Sequence, residues 1–232
     1  MKTLIIIPCY NEQETIASLC KEICDNAAYD IIVINDCSTD DSREILQQNN
    51  IPHLDLPLNL GIGGAVQTGY RYALVNGYDI AVQLDGDGQH DPGQAHLIVE
   101  PIEKGLADLT IGSRYINKSG FQSSAMRRAG IRFFRFLIFC LSGKHITDAT
   151  SGFRAANRKT MQLFDKYYAM DYPEPESNML ALKNKLRVIE VPVTMRERQG
   201  GVSSIKALQP IYYMLKVSLG ILISSTIRDK TK

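Results

Sequence analysis

The chain has 232 residues, 44% of them hydrophobic and 22% charged, which suits one compact domain able to bury a full core. A formal net charge of +1 excludes a protein whose main task is to coat nucleic acid or another polyanion. Cys9, Cys20, Cys24, Cys37 and Cys140 lack the paired C-x-x-C spacing of a zinc or redox motif, and they read as reduced cytosolic thiols. The N-terminal apolar run 4–7 breaks at Pro8, too short for the ~7–15-residue core of a signal peptide. The main domain is therefore expected inside the cell.

In chain order, the β-branched runs 3–7, 30–34 and 80–84 are apolar on both faces, as strands buried in a parallel sheet should be. Helix-length segments 13–26, 39–49 and 64–76 lie after them, with Ser38 or Thr39 placed to cap the second. A helix opening at Pro92 and a fourth run, 108–112, continue the alternation, which predicts a mostly parallel sheet flanked by helices. In such sheets ligands bind beyond the carboxyl ends of the strands. Residues 8–12, 35–38 and 85–89 all fall at those ends and should converge on one crevice.

After residue 112 the rhythm changes. A Gly/Ser/Asn-rich stretch, 117–124, precedes a helical segment, 125–141, with Arg128, Arg132 and Arg135 on one face and Phe134, Leu137, Ile138 and Leu141 on the other. Between Asp108 and Asp148 there is no acidic residue, while Arg114, Lys118, Arg127, Arg128, Arg132, Arg135 and Lys144 all lie there, marking an anion or membrane surface. Residues 187–196 alternate as a strand does. The apolar segment 211–227, broken only by Lys216, is short for a spanning helix of about 20 residues and is expected to lie in the membrane interface. The expected division is a main domain over 1–204, with a first half to about 112 and a second half beyond it, then a membrane-associating helix over 205–232.

The strongest chemical signal is Asp85-Gly86-Asp87-Gly88-Gln89, directly after a buried strand. Two carboxylates and an amide oxygen at alternating positions present hard oxygen ligands suited to Mg²⁺ or Mn²⁺, and the glycines admit a phosphate close to the backbone. No Glu closes a twelve-residue calcium loop, so an EF-hand is excluded. The glycines of Gly61-Ile62-Gly63-Gly64 precede the third helix, not the first, and read as a tight turn rather than a dinucleotide fingerprint.

Ile7-Pro8-Cys9-Tyr10-Asn11-Glu12, Asn35-Asp36-Cys37-Ser38-Thr39-Asp40, Asn59-Leu60-Gly61-Ile62-Gly63-Gly64-Ala65 and the Asp85–Gln89 stretch together resemble the signature of family 2 glycosyltransferases. Ile111-Gly112-Ser113-Arg114-Tyr115 and Thr147-Asp148-Ala149-Thr150-Ser151-Gly152-Phe153-Arg154 resemble its dolichyl- and undecaprenyl-phosphate sugar synthase branch, the dolichol-phosphate mannosyltransferase-like enzymes. The resemblance implies a GT-A type, Rossmann-like α/β fold with C-terminal interfacial amphipathic helices. It also implies that Pro8, Tyr10 and Glu12 wall the nucleotide, Asp36 bonds the base, Asp85 sits by the ribose and diphosphate, and Asp85, Asp87 and Gln89 hold the metal. Asp36 is also open to a reading as a helix cap.

By the same resemblance Arg114 and Arg127 or Arg128 serve the acceptor phosphate, and Arg196 and Arg198 stand in a basic loop over the diphosphate; relatives carry a lysine near its end, whereas here Ser203-Ser204 intervenes before Lys206. Asp148 orients an acceptor group or holds a loop; Glu176, in the turn Tyr172-Pro173-Glu174-Pro175-Glu176, faces donor hydroxyls or lies exposed. The implied reaction moves a sugar from a nucleoside diphosphate sugar to a polyprenyl phosphate at the cytoplasmic face of the membrane. UDP-glucose or UDP-N-acetylglucosamine is expected ahead of GDP-mannose. Transfer to a saccharide hydroxyl, with Asp148 or Glu176 as base, and a non-catalytic nucleotide-binding subunit are the rival readings. A small membrane partner or a homo-oligomer is left open by the short C-terminal segment.

Overall fold

Successive side chains of a strand point to opposite faces. Leu4 and Ile6 enter one apolar core and Ile5 and Ile7 a second, so the sheet they belong to must be covered on both sides. The computed structural model describes residues 1–26, 29–117, 125–196 and 210–229. Its elements begin with β1 (Thr3–Cys9), α1 (Ile16–Asn26), β2 (Asp30–Asn35), α2 (Ser42–Gln48), β3 (His53–Asp55), α3 (Gly61–Val75), β4 (Ile80–Gln83) and α4 (Ala95–Glu103). They continue with β5 (Leu109–Ser113), α5 (Ala125–Ser142), β6 (Arg154–Asn157), α6 (Arg158–Tyr167), α7 (Pro173–Lys183), β7 (Val188–Pro192) and α8 (Pro210–Ser224).

The seven strands run in the order β3-β2-β1-β4-β6-β5-β7. All pairings are parallel except those of β6, which is antiparallel to both β4 and β5. Ile5 and Ile7 pack with Ile16, Leu19 and Ile23 of α1, Leu46 of α2 and Ile98 of α4. Leu4 and Ile6 share the other core with Val66 and Tyr70 of α3, Phe134 of α5, Phe164 of α6, Met179 of α7 and Val217 and Ile221 of α8. The result is the expected α/β architecture of a mostly parallel sheet between helical layers.

Several local expectations need correction. The second helix opens at Ser42, not Thr39, because Ser38 and Thr39 are drawn into bonds with Asn11: Ser38 Oγ accepts the Asn11 N–H and Asn11 Oδ1 accepts the Thr39 N–H. The stretch 172–176 is no exposed turn but the start of α7, with Pro173 at its first position and Glu174 and Glu176 in its first turn. The C-terminal helix α8 is not amphipathic. It buries Val217 and Ile221 while Tyr212, Leu215, Leu219, Leu222 and Ile223 stay exposed, so both of its sides are apolar. On α5, Ile131, Phe134 and Ile138 are buried, but Phe133, Phe136 and Phe139 stand exposed beside Arg132. Among the described residues no helix is long and apolar enough to cross a membrane.

The glycines in the first turn of α3 act by close approach. The Gly63 N–H donates to the Met170 carbonyl at 2.8 Å, and a Cβ on Gly63 would fall 1.9 Å from the Ala169 carbonyl oxygen. The helix start is therefore filled by the loop before α7. Gly63→Ala is expected to cost about 3 kcal/mol, because backbone must move to admit the methyl; chemical denaturation against wild type checks it.

Candidate active site

The polar turns at the ends of β1, β2 and β4 meet, as their positions in the sheet require. The Asp36 N–H donates to the Cys9 carbonyl at 2.8 Å, joining the first two turns. Thr15 Oγ1 donates to the Gly86 carbonyl at 2.9 Å, joining the first to the third, and the Glu12 N–H donates to Ser42 Oγ at 3.0 Å. Pro8 is buried at the end of β1, while Tyr10 is 48% exposed at the rim. Asn11 and Cys37 both take positive φ, which lets the two turns fold back on each other.

Asp36 lies in the wall of this crevice, 3% exposed, and burial pushes its carboxyl above the ordinary carboxylate range. Its Oδ1 accepts the Leu60 N–H at 2.7 Å, so it caps the start of α3 rather than that of α2. The cap places one carboxylate oxygen; the arrangement leaves the base-binding expectation for Asp36 as a proposal.

The turn after β4 carries the expected metal residues. Gly88 has φ +74°, a conformation that glycine adopts without strain, and the Gln89 N–H donates to Asp87 Oδ1 at 3.0 Å. Asp85 Oδ1 accepts from Gln83 Nε2 at 3.2 Å, and the buried Tyr168 hydroxyl donates to Gln83 Oε1 at 3.3 Å. A Cβ on Gly152 would fall 2.6 Å from Asp85 Oδ2, so the 151–154 segment presses directly on this carboxylate. Among the described residues no three His, Cys, Asp or Glu side chains converge into a metal cage. Two carboxylates and an amide nevertheless fit a hard divalent ion that keeps water and substrate phosphate among its ligands.

Arg114 and Asp148 are one buried ion pair. Nε donates to Oδ2 at 2.7 Å, and the side chains are 4% and 0% exposed. Three further contacts fix the pair's geometry: Ser113 Oγ lies 2.6 Å from Thr147 Oγ1, and Glu190 accepts the N–H groups of Thr147 (2.6 Å) and Asp148 (2.7 Å). The sequence reading missed Glu190, although a lone carboxylate in the alternating run 187–196 was the available signal. Arg154 is fully buried and donates to the Ser151 carbonyl and, at 2.6 Å, to Ser177 Oγ. It therefore ties β6 to α7.

The remaining cations are placed unevenly. Arg196 bonds both oxygens of Glu22, at 3.0 and 2.8 Å, and Asp91 at 2.9 Å, which anchors the segment leading into the expected basic loop. Arg128 is exposed. The Arg127 side chain, Arg198 and Lys206 lie outside the described residues.

Glu176 lies against α8. A Cβ on Gly220 would fall 2.2 Å from its carboxyl, so α8 crosses α7 over this group. Burial pushes the Glu176 carboxyl up from 4.5 to about 7, with the Lys216 ammonium opposing and Asp171 and Glu174 adding to the rise. The folded chain thus holds a proton here that the unfolded chain has released. Its stabilising contribution is full below about 4.5 and is lost as pH rises through 7. The thermal midpoint is expected to fall between pH 5 and 8, and Glu176→Gln should flatten that slope; equal slopes for both proteins would refute the assignment.

Residues 4–164 match Glycosyl transferase family 2. The chain is 28% identical to the UDP-N-acetylglucosamine–dolichyl-phosphate N-acetylglucosaminyltransferase of Methanococcus voltae, over 93% of this chain and 96% of that one. It is 30% identical to the undecaprenyl-phosphate mannosyltransferase of Micrococcus luteus, over 88% and 87%. Its fold is similar to that of glucosyl-3-phosphoglycerate synthase from Mycobacterium tuberculosis, crystallised with Mn²⁺, UDP and phosphoglyceric acid. That comparison has a TM-score of 0.74 at 20% identity and covers 99% of this chain and 80% of that one. Motifs read at strand ends, the turns that bring them together and a match running through β6 into α6 all lead to one assignment: the chain is a glycosyltransferase of glycosyl transferase family 2.

Proposed function

We propose that this glycosyltransferase moves a sugar, with inversion, from a nucleoside diphosphate sugar to a polyprenyl phosphate, with UDP-N-acetylglucosamine and UDP-glucose ahead of GDP-mannose as donors. One observation carries the choice of acceptor. A saccharide hydroxyl needs a general base within hydrogen-bond reach, yet Asp148 is fully buried against Arg114, and Glu176 lies beneath α8. A phosphate monoester, with its second pKa near ~6, arrives at neutral pH already ionised and needs no base. Names of relatives that cover most of this chain support the same acceptor class.

In the reaction the acceptor oxygen forms its bond to the anomeric carbon as the bond to the diphosphate oxygen breaks, and the diphosphate leaves with the electron pair. A divalent ion, Mg²⁺ or Mn²⁺, bound at Asp85, Asp87 and Gln89 would neutralise that leaving group. Pro8, Tyr10, Glu12 and Asp36 line the donor side. Arg127 or Arg128 aims the acceptor phosphate through guanidinium hydrogen bonds, Arg114, held by Asp148, serves it from behind that surface, and Arg196 and Arg198 belong to the segment over the diphosphate. The exposed Phe133, Phe136 and Phe139 with Arg132, together with the outer side of α8, suit contact with an anionic membrane surface at its cytoplasmic face.

The test presents radiolabelled UDP-glucose, UDP-N-acetylglucosamine and GDP-mannose, with Mg²⁺ or Mn²⁺, to polyprenyl phosphate and to oligosaccharides. Label should appear in the lipid alone. Label in oligosaccharide with none in lipid would overturn the acceptor assignment.

A further inference from the structure

His90 follows the metal turn and is left without a role by the reaction above. It is 3% exposed. Its ring stacks on Phe153, with centroids 5.1 Å apart and planes 16° from parallel. Nδ1 lies 3.1 Å from the Asp85 backbone nitrogen and accepts its N–H. A ring nitrogen that accepts carries no proton, so the ring proton of this arrangement is on Nε2, which lies 3.8 Å from Asp85 Oδ2.

The backbone around the ring has the same convergence. His90 forms an antiparallel bridge with Met195, and the Gln89 carbonyl accepts the Arg196 N–H at 2.9 Å. Phe153, beneath the ring, accepts the Gly112 N–H at its carbonyl at 2.7 Å, two residues before Arg114. Gly152, next to it, presses on the Asp85 carboxylate. The imidazole therefore touches the turn that carries Asp85 and Asp87 and the Phe153 ring, while the backbone of His90 and Gln89 meets the root of the Arg196 segment.

We propose that His90 is a positioning residue: as an Nδ1 acceptor it closes the 85–90 turn and sets Asp85 and Asp87 at the spacing a divalent ion requires. Groups that orient metal ligands change metal affinity by about 10–100-fold when removed. The proposal rests on the metal reading of Asp85 and Asp87, but not on the identity of the sugar or the acceptor.

The acceptor geometry makes the test specific, because the Asn amide oxygen occupies the place of Nδ1 whereas that of Gln occupies the place of Nε2. Mn²⁺ binding to the full chain in the presence of UDP is measured by titration calorimetry for wild type, His90→Asn, His90→Gln and His90→Phe, with melting temperatures alongside. His90→Asn should bind within about threefold of wild type, while His90→Gln and His90→Phe should bind about 10–100-fold more weakly. The Phe variant keeps a ring on Phe153, and Asn and Gln differ by one methylene, so a loss of fold in His90→Phe still leaves the Asn and Gln comparison, and a loss of fold in His90→Gln still leaves Asn against Phe. Wild-type affinity in His90→Gln, or a loss in His90→Asn equal to that in His90→Phe, overturns the proposal. Wild type that binds no Mn²⁺ with UDP overturns the metal reading beneath it, whereas transfer to an unexpected acceptor touches neither.

Discussion

Asp87→Asn should lose about 10³-fold in kcat/KM, roughly 4 kcal/mol of transition-state stabilisation, with little change in melting temperature. The amide oxygen of Asn can still accept the Gln89 N–H that Asp87 Oδ1 accepts at 3.0 Å, so the turn survives. What disappears is the negative charge. Asp87→Ala removes both, and the added cost to stability should stay near 1 kcal/mol, the worth of one partly exposed hydrogen bond. Initial rates of label transfer over a Mn²⁺ series separate the effects. Asparagine and wild-type proteins with equal rates would end the assignment of Asp87 to the metal.

The second large effect concerns the pair Arg114 and Asp148. Asp148→Ala leaves a guanidinium that is 4% exposed without its counter-charge, and breaking a buried pair from one side costs about 3–5 kcal/mol. For a chain of this size that corresponds to a fall of roughly 6–20 °C in thermal midpoint. Replacing both partners with apolar residues, Arg114→Met with Asp148→Leu, should restore much of the stability because no charge remains buried. Transfer should not return with it if Arg114 serves the acceptor phosphate. A double variant that melts near wild type and also transfers at the wild-type rate would leave the pair a purely structural role.

The site motifs were legible because a parallel sheet fixes where they go: apolar runs at 3–7, 30–34 and 80–84 bring the residues after them to one edge. The mutual bonding of Asn11, Ser38 and Thr39 was not legible, since helix-cap chemistry and turn chemistry use the same side chains. β6 was missed for a different reason. Its sequence, Arg154-Ala155-Ala156-Asn157, has weak strand preference, and it is a strand because β4 and β5 both offer it partners. α6 did carry a signal, as Asn157 caps it by accepting the Thr160 N–H at 2.9 Å. α7 carried another in Pro173 followed by Glu174 and Glu176, but carboxylates near a presumed site drew attention as chemistry. The pairing of Arg114 with Asp148 joins residues 34 apart in sequence and could only come from the fold.

The antiparallel strand β6 has a consequence for how the molecule is made. β4 and β5 are successive strands in the chain, yet they never touch; β6, synthesised more than 40 residues after β5 begins, must slide between them. Until it does, an emerging chain has two incomplete sheet fragments with open edges, and such edges invite pairing with other chains. Closure also brings Gly152 and Phe153 against Asp85 and His90, so the donor turn acquires its final neighbours only then. Long-range insertion of this kind is slow relative to local helix formation. A nascent chain halted before residue 154 should therefore have helices and half a sheet, but no assembled centre able to act on a nucleotide sugar prematurely.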